Sequence, residues 1–265
     1  MNRLRSLAWT ALMTNSMIAM SYDTSVFSPG IFEVDLISPR NETYTPSALL
    51  PIVFALQNPT LVQALEFFII WELWEGNNHT SPGSVTNGAL EPALSNLTSS
   101  DPLFVTRFID TTPYPVGFWT FAWSLVVSNC THKGGYEGED IATNGAIVFT
   151  ISQSGQAPNL TSSENCGSMD AYAYNVTSDG DACAILGPSP TTNPCAATVN
   201  PSAASSIMAA ATAFACDPLE TSIYPNVTCP TSTAKSSNSA RQCRMAAAST
   251  WLTLLTMMTA LIHFG

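Results

Sequence analysis

Between Gly117 and Ser128 runs FWTFAWSLVV (Phe118–Val127), in which Trp119, Phe121, Trp123, Leu125 and Val127 recur at every second position. Side chains alternate across a β-strand, so these five bulky groups share one face, while Thr120, Ala122 and Ser124 break up the other. Working outward, the same period of two returns in Ala146–Ile151 and Leu103–Ile109, and in Leu50, Ile52, Phe54 and Leu56. Phe32, Val34 and Leu36 alternate with Glu33 and Asp35, which predicts a strand buried on one side only. Glu66–Glu75 is apolar on both sides and reads as a central strand. Turn residues punctuate these runs at Pro39-Arg40-Asn41-Glu42, Asn58-Pro59 and Gly76-Asn77-Asn78, and Leu61–Leu65 reads as a helical turn. Six or seven strands without a helical pattern of comparable strength predict a mainly β protein, an antiparallel Ig-like β-sandwich over residues 22–155. Trp119 and Trp123 are expected in its core. Trp74 projects opposite to Trp71 at a strand end and is expected at the surface; with Tyr114 it is a candidate ligand contact.

After Gly155 the pattern changes. Residues 156–230 are rich in Cys and Pro and hold one helical stretch, Ser202–Ala215, with Ser202 expected as its N-cap after Pro201. Cys195 and Cys216 flank that helix. The segment is too poor in apolar surface for a large independent domain, so it is expected to pack on the sandwich or form a small lobe beside it.

The two ends are apolar. Residues 1–21 carry Arg3 and Arg5, the apolar run Leu7–Met13 and the small-residue step Ala19-Met20-Ser21, the pattern of a secretory signal peptide. Met245–Phe264 is apolar or small and stops at Gly265 with no basic flank, as in a GPI-anchor signal over 241–265, removed on processing. Residues 231–240 then form a Ser/Thr stem, and Ser236, Ser237, Asn238 and Ser239 are the candidate attachment residues. The expected address is the extracellular face of the plasma membrane or the cell wall, with the membrane as partner through the anchor.

Glycosylation sequons agree with that address. Asn-x-Thr occurs at Asn41, Asn78, Asn96, Asn129, Asn159, Asn175 and Asn226, and these sites are expected in loops between the apolar segments. Of the seven cysteines, Cys243 falls in the proposed tail; Cys130, Cys166, Cys183, Cys195, Cys216 and Cys229 remain, an even set consistent with three disulfides in an oxidising compartment, with pairing left open. Removing both ends leaves Arg40, Arg107, Lys133 and Lys235 against all nineteen acidic residues, a net charge of about −15. A surface of that sign argues against nucleic acid as a partner.

Chemistry is sparse. The two histidines left after processing, His79 and His132, sit within or beside sequons, and no Gly-x-Ser-x-Gly accompanies them, so a Ser-His-Asp triad is not expected. No Cys-x-x-Cys pair suggests a metal site. Glu72 and Glu75 differ in strand parity, and Glu137-Gly138-Glu139-Asp140 reads as a solvated acidic loop. No catalytic residue, metal or cofactor is predicted.

The runs GIFEVDLISPRNETYTPSALLPIVFALQNP (Gly30–Pro59), GFWTFAWSLVVSNCT (Gly117–Thr131) and AIVFTIS (Ala146–Ser152), with Cys-rich sequence after them, resemble a group of secreted fungal, GPI-anchored proteins that share a β-rich domain of unknown function. The likeness spans roughly residues 30–230 and is most specific over Pro39–Pro59. It implies a fungal cell-surface or cell-wall protein and brings no catalytic residues with it. The resulting expectation is a surface glycoprotein with a structural, adhesive or interaction role. The alternatives are a carbohydrate-binding module that meets cell-wall polysaccharide and a wall-remodelling enzyme working through carboxylates alone.

Overall fold

Among the described residues, ten strands form two five-stranded sheets packed face to face. They are seen in a computed structural model that describes residues 28–77, 84–92, 97, 102–130, 138–161, 166, 169–179 and 183–230. The signal and anchor segments, residues 231–240, Cys243, His79, His132, Glu137, Asn78 and Asn96 lie outside the described residues. In chain order the elements are β1 (Gly30–Ser38), β2 (Thr43–Tyr44), β3 (Leu50–Gln57), a 3-10 turn (Pro59–Leu61) leading into α1 (Val62–Leu65), β4 (Phe68–Glu75), β5 (Thr86–Leu90), β6 (Leu103–Ile109), β7 (Gly117–Cys130), β8 (Gly138–Ile151), β9 (Ala171–Asp179), β10 (Ala184–Leu186) and α2 (Pro201–Ala215). One sheet has the order β10-β9-β1-β3-β6, the other β2-β8-β7-β4-β5. Pairing is antiparallel except between β2 and β8.

The core forms where period-two faces meet. Trp119, Phe121, Trp123, Leu125 and Val127 of β7 are all buried, against Phe32, Val34 and Leu36 of β1 and Leu50, Ile52, Phe54 and Leu56 of β3. The Phe54 ring meets Trp123 edge-on at 6.0 Å and Phe121 at 6.3 Å. Burying each such side chain contributes roughly 1.5–3 kcal/mol. Two glycines make room for indoles: Gly145 on β8 lies under Trp123 and Gly88 on β5 under Trp71, where an added Cβ would fall 2.1 and 2.9 Å from ring atoms. A disulfide from Cys130, at the end of β7, to Cys183, just before β10, ties one sheet to the other. Beside it the Asn129 side chain accepts from the Leu186 amide at 2.9 Å.

A third layer covers the β1-β3-β6 region on its far side. Ile37, Val53, Ala55 and Phe108 point outward there and are buried under Leu160, Ala197, Val199 and α2 residues Ile207 and Ala211. The buried stripe of α2, Ile207, Ala211 and Ala215, recurs every four residues, and its small alanines allow close approach to the sheet. Cys166–Cys195 staples the segment before the helix, and Cys216 and Cys229 are also disulfide-bonded. The chain through Val227 is one compact unit; of a second unit, Thr228–Gly265, only Thr228–Pro230 are described.

Several expectations need correction. Glu33 and Asp35 are not a solvated strand face: they are 4% and 0% exposed, because the third layer lies over them. Strands do not stop at Ile151, since β9 pairs with β1 and β10 with β9, and β5 escaped notice altogether. β4 is an interior strand, paired with β7 and β5, but only one of its faces is covered: the outer face is open, with Ile70 45% exposed. Glu139 and Asp140 lie in β8 rather than in a loop, where Ser128 Oγ donates to Asp140 Oδ1 at 3.0 Å. Asn200, not Ser202, caps α2: its side chain accepts from the Ala203 amide at 2.9 Å, and Pro201 occupies the first turn. Asn129 and Asn175 sit within β7 and β9 rather than between apolar segments.

Candidate binding groove

Strands β6 and β5 are the edges of their respective sheets, and they lie on the same side of the sandwich. An edge strand leaves a row of backbone N–H and C=O groups without a ladder partner. Here that open side forms a groove of about 810 Å³, within the size range of small-molecule sites. Asn87 of β5 and Arg107 of β6 contribute polar side chains, the turn after β6 contributes Asp110 and Tyr114, and the chain after α2 closes the far wall with Glu220, Tyr224 and Asn226.

Tyr114 is held flat. Its ring stacks on Trp119 with centroids 4.7 Å apart and planes at 21°, while Trp119 is 1% exposed and anchored by its indole N–H donating to the Pro115 carbonyl at 3.2 Å. One face of Tyr114 is therefore spent on the core and the ring stays available to the groove. Burial, and then the nearby Asp110 carboxylate, raise the Tyr114 hydroxyl pKa above its ordinary value, so it remains a neutral donor. Tyr224 is similar: burial and then Glu220 raise it, Arg107 pulls the other way, and its hydroxyl donates to the Phe108 carbonyl at 3.0 Å. Asp110 is oriented by its own turn, with Oδ1 accepting from the Thr112 amide at 2.9 Å and the Thr112 hydroxyl at 2.6 Å. Such a site offers an aromatic face, ionic groups of both signs and amide donors, a combination suited to polar ligands with apolar faces.

Tyr114 and Trp74 are not brought together. Trp74 lies on the outer face of its sheet with Ile70 and Glu72, half-buried, and is not among the groove residues. Trp71, on the opposite face of β4, does reach the groove, and its indole nitrogen is buried with no hydrogen-bond partner. Arg107, Tyr224 and Asn87 were missed as groove residues because only tertiary packing aligns two sheet edges with the chain after α2.

A second polar cluster is buried beneath the third layer. Asp35 Oδ2 accepts from Gln57 Nε2 at 2.8 Å, the same amide donates to the Asn193 carbonyl at 3.1 Å, and the Asn193 amide donates to Glu33 Oε1 at 2.6 Å. Asp35 Oδ1 has no partner. Burial pushes the Asp35 carboxyl up to about 7; the Gln57 amide works against the rise, and the neighbouring Glu33 carboxylate adds to it. Glu33 borders a separate cavity of about 440 Å³ lined also by Gln57, Asn58 and Asn193. Among the described residues no group of three or more His, Cys, Asp and Glu is placed to hold a metal ion, and no helix is long and apolar enough to cross a membrane.

Residues 27–229 match a family whose description is a domain of unknown function (DUF7136). No curated protein and no solved structure matches the chain.

Proposed function

The chain belongs to the DUF7136 family, and we propose that it is a non-catalytic surface glycoprotein of fungal type whose sandwich presents the edge-strand groove to cell-wall polysaccharide. On this reading the N-terminal segment directs secretion, the C-terminal segment is exchanged for a GPI anchor at one of Ser236 to Ser239, and several sequons carry glycans. Adhesion to the wall, or organisation of its polymers, is the role. The three disulfides and the acidic, glycan-ready surface support the address. The observation that carries the ligand class is the Tyr114–Trp119 stack. A pyranose presents an apolar C–H face to an aromatic ring and hydroxyls at its rim, and here a fixed ring faces a groove edged by Asn87, Arg107 and Asp110.

The test is depletion of the protein, unmodified at Asn226, from solution by insoluble chitin, β-glucan and cellulose, with albumin as control. Saturable loss is expected on at least one polymer, with Tyr114→Ala weakening it tenfold or more and Trp74→Ala leaving it unchanged. No depletion on any polymer would sink the polysaccharide reading and turn the search to protein partners.

Asp110 and Glu220 line the same groove, and two carboxylates are the minimum for glycoside hydrolysis. Both Asp110 oxygens are already engaged, Oδ1 by Thr112 and Oδ2 by Asn226, which favours a structural or contact role for it. Release of reducing sugar that disappears in Asp110→Asn would reverse that preference.

A further inference from the structure

Asn226 forms part of the groove wall and is also the first residue of the Asn226-Val227-Thr228 sequon. Its side-chain nitrogen, the atom an N-linked glycan would occupy, donates to Asp110 Oδ2 at 3.1 Å and to Thr112 Oγ1 at 2.5 Å. That nitrogen carries two hydrogens. In glycan transfer it bonds to the anomeric carbon of a lipid-linked oligosaccharide diphosphate. The diphosphate leaves with the bonding electrons, one amide proton is lost and one N–H remains; because both hydrogens of the unmodified amide face acceptors, the modified side chain turns away from Asp110 and Thr112 to make room for the sugar. Transfer acts on the unfolded chain as it is translocated, so the folded contacts do not obstruct it.

The first sugar would emerge into the groove itself. Beside it stand apolar side chains that the protein leaves open: Ile223 is 60% exposed and Phe214 is 41% exposed. Phe214 is held by the Tyr224 ring, edge-on at 6.1 Å, so it is a fixed surface rather than a loose side chain. Tyr114 provides a further ring. A covalently attached sugar has an effective local concentration in the millimolar range or above, so a weak contact is enough to keep it seated.

We propose that the glycan on Asn226 folds back into the groove, its first residues covering Ile223, Phe214 and Tyr114, so that the glycosylated form carries its own occupant and the unmodified form has an open site. The inference rests on the secretory reading given above, and it makes occupancy of Asn226 the control on access to the groove.

The full chain, produced through a eukaryotic secretory pathway, is digested under native conditions with an endoglycosidase, and release is followed site by site by mass spectrometry of the peptides. Asn41 and Asn159, both exposed, serve as references within the same molecule. Release from Asn226 is expected to be at least tenfold slower than from Asn41 in the native protein and equal to it after denaturation. Ile223→Ser should remove most of that protection. Tyr114→Ala is a second, independent variant should Ile223→Ser fail to fold. Release from Asn226 at the Asn41 rate would overturn the proposal, as would an unmodified Asn226 beside a modified Asn41. Absence of glycan at every sequon would overturn the secretory reading and the proposal together.

Discussion

Replacing Asp35 by Asn should convert a pH-dependent protein into a much flatter one. Native Asp35 holds its proton up to about pH 7, whereas an unperturbed aspartate releases it near 3.8. Between those values the native state binds more protons than the unfolded chain, so stability falls as pH rises through the window and is fullest below its lower end. A displacement of about three units at about 1.4 kcal/mol each gives a loss of about 4 kcal/mol across the window. Asn resembles the protonated carboxyl: its oxygen can accept from Gln57, and its amide brings no charge beneath the third layer. The assay is urea unfolding, disulfides intact, followed by tryptophan fluorescence from about pH 4 to about pH 8 for both proteins. Subtracting one curve from the other cancels the distant titrating groups, which contribute additively. The variant should gain on the native protein by about 4 kcal/mol from the acid to the alkaline end, on the order of 10 °C in Tm for a chain of this size. A difference constant to within about 0.5 kcal/mol would refute the argument, because the carboxyl would then titrate alike in the folded and unfolded states.

Three further outcomes follow from packing. Gly145→Ala should destabilise by about 3 kcal/mol or more, since the new Cβ would fall 2.1 Å from a Trp123 ring atom and Phe54 and Tyr172 flank that indole; thermal melting measures it. Cys130→Ala with Cys183→Ala should cost about 4 kcal/mol in chemical unfolding, the loop entropy released when a link across a separation of 53 residues is lost. Asn200→Ala should cost about 1 kcal/mol through loss of the bond to the Ala203 amide, and Ser202→Ala should cost much less, a contrast that a melting curve of each resolves.

The sequence reveals an element when its pattern is complete within the element itself. β7 is legible because all five inward residues are large and apolar, so its own order carries the signal. β5, with the sequence TNGAL, carries none: Gly88 is there because Trp71 on the neighbouring strand needs the space, a requirement written in β4. β9 (AYAYNVTSD) does alternate, but its sequon and Cys-rich setting disguise a strand that completes the first sheet. Glu33 and Asp35 show the same limit. Alternation with Phe32 and Val34 correctly predicts opposite faces, and nothing local reveals that Asn193 and the residues around α2 return to cover the polar one. Tyr114 could be singled out from sequence as a surface aromatic, while the groove around it needs two sheet edges and a C-terminal turn to converge.

The route by which β1 is enclosed has a consequence in time. Glu33 and the Asn193 amide that binds it are 160 residues apart, and β1 meets β9 only through Gly30↔Val176 to Asp35↔Ala171. At a synthesis rate of roughly 5–20 residues per second, roughly 10–30 s separate the appearance of β1 from that of its final neighbours. Throughout that interval one edge of β1 has no partner and its two carboxylates remain in water. A strand made early thus waits for chain made much later, and Asp35 takes up its proton late, when β9 and the covering segment arrive. Closure should therefore become less favourable as the pH of the compartment rises, which ties completion of the fold to the acidity the chain meets while it is being made.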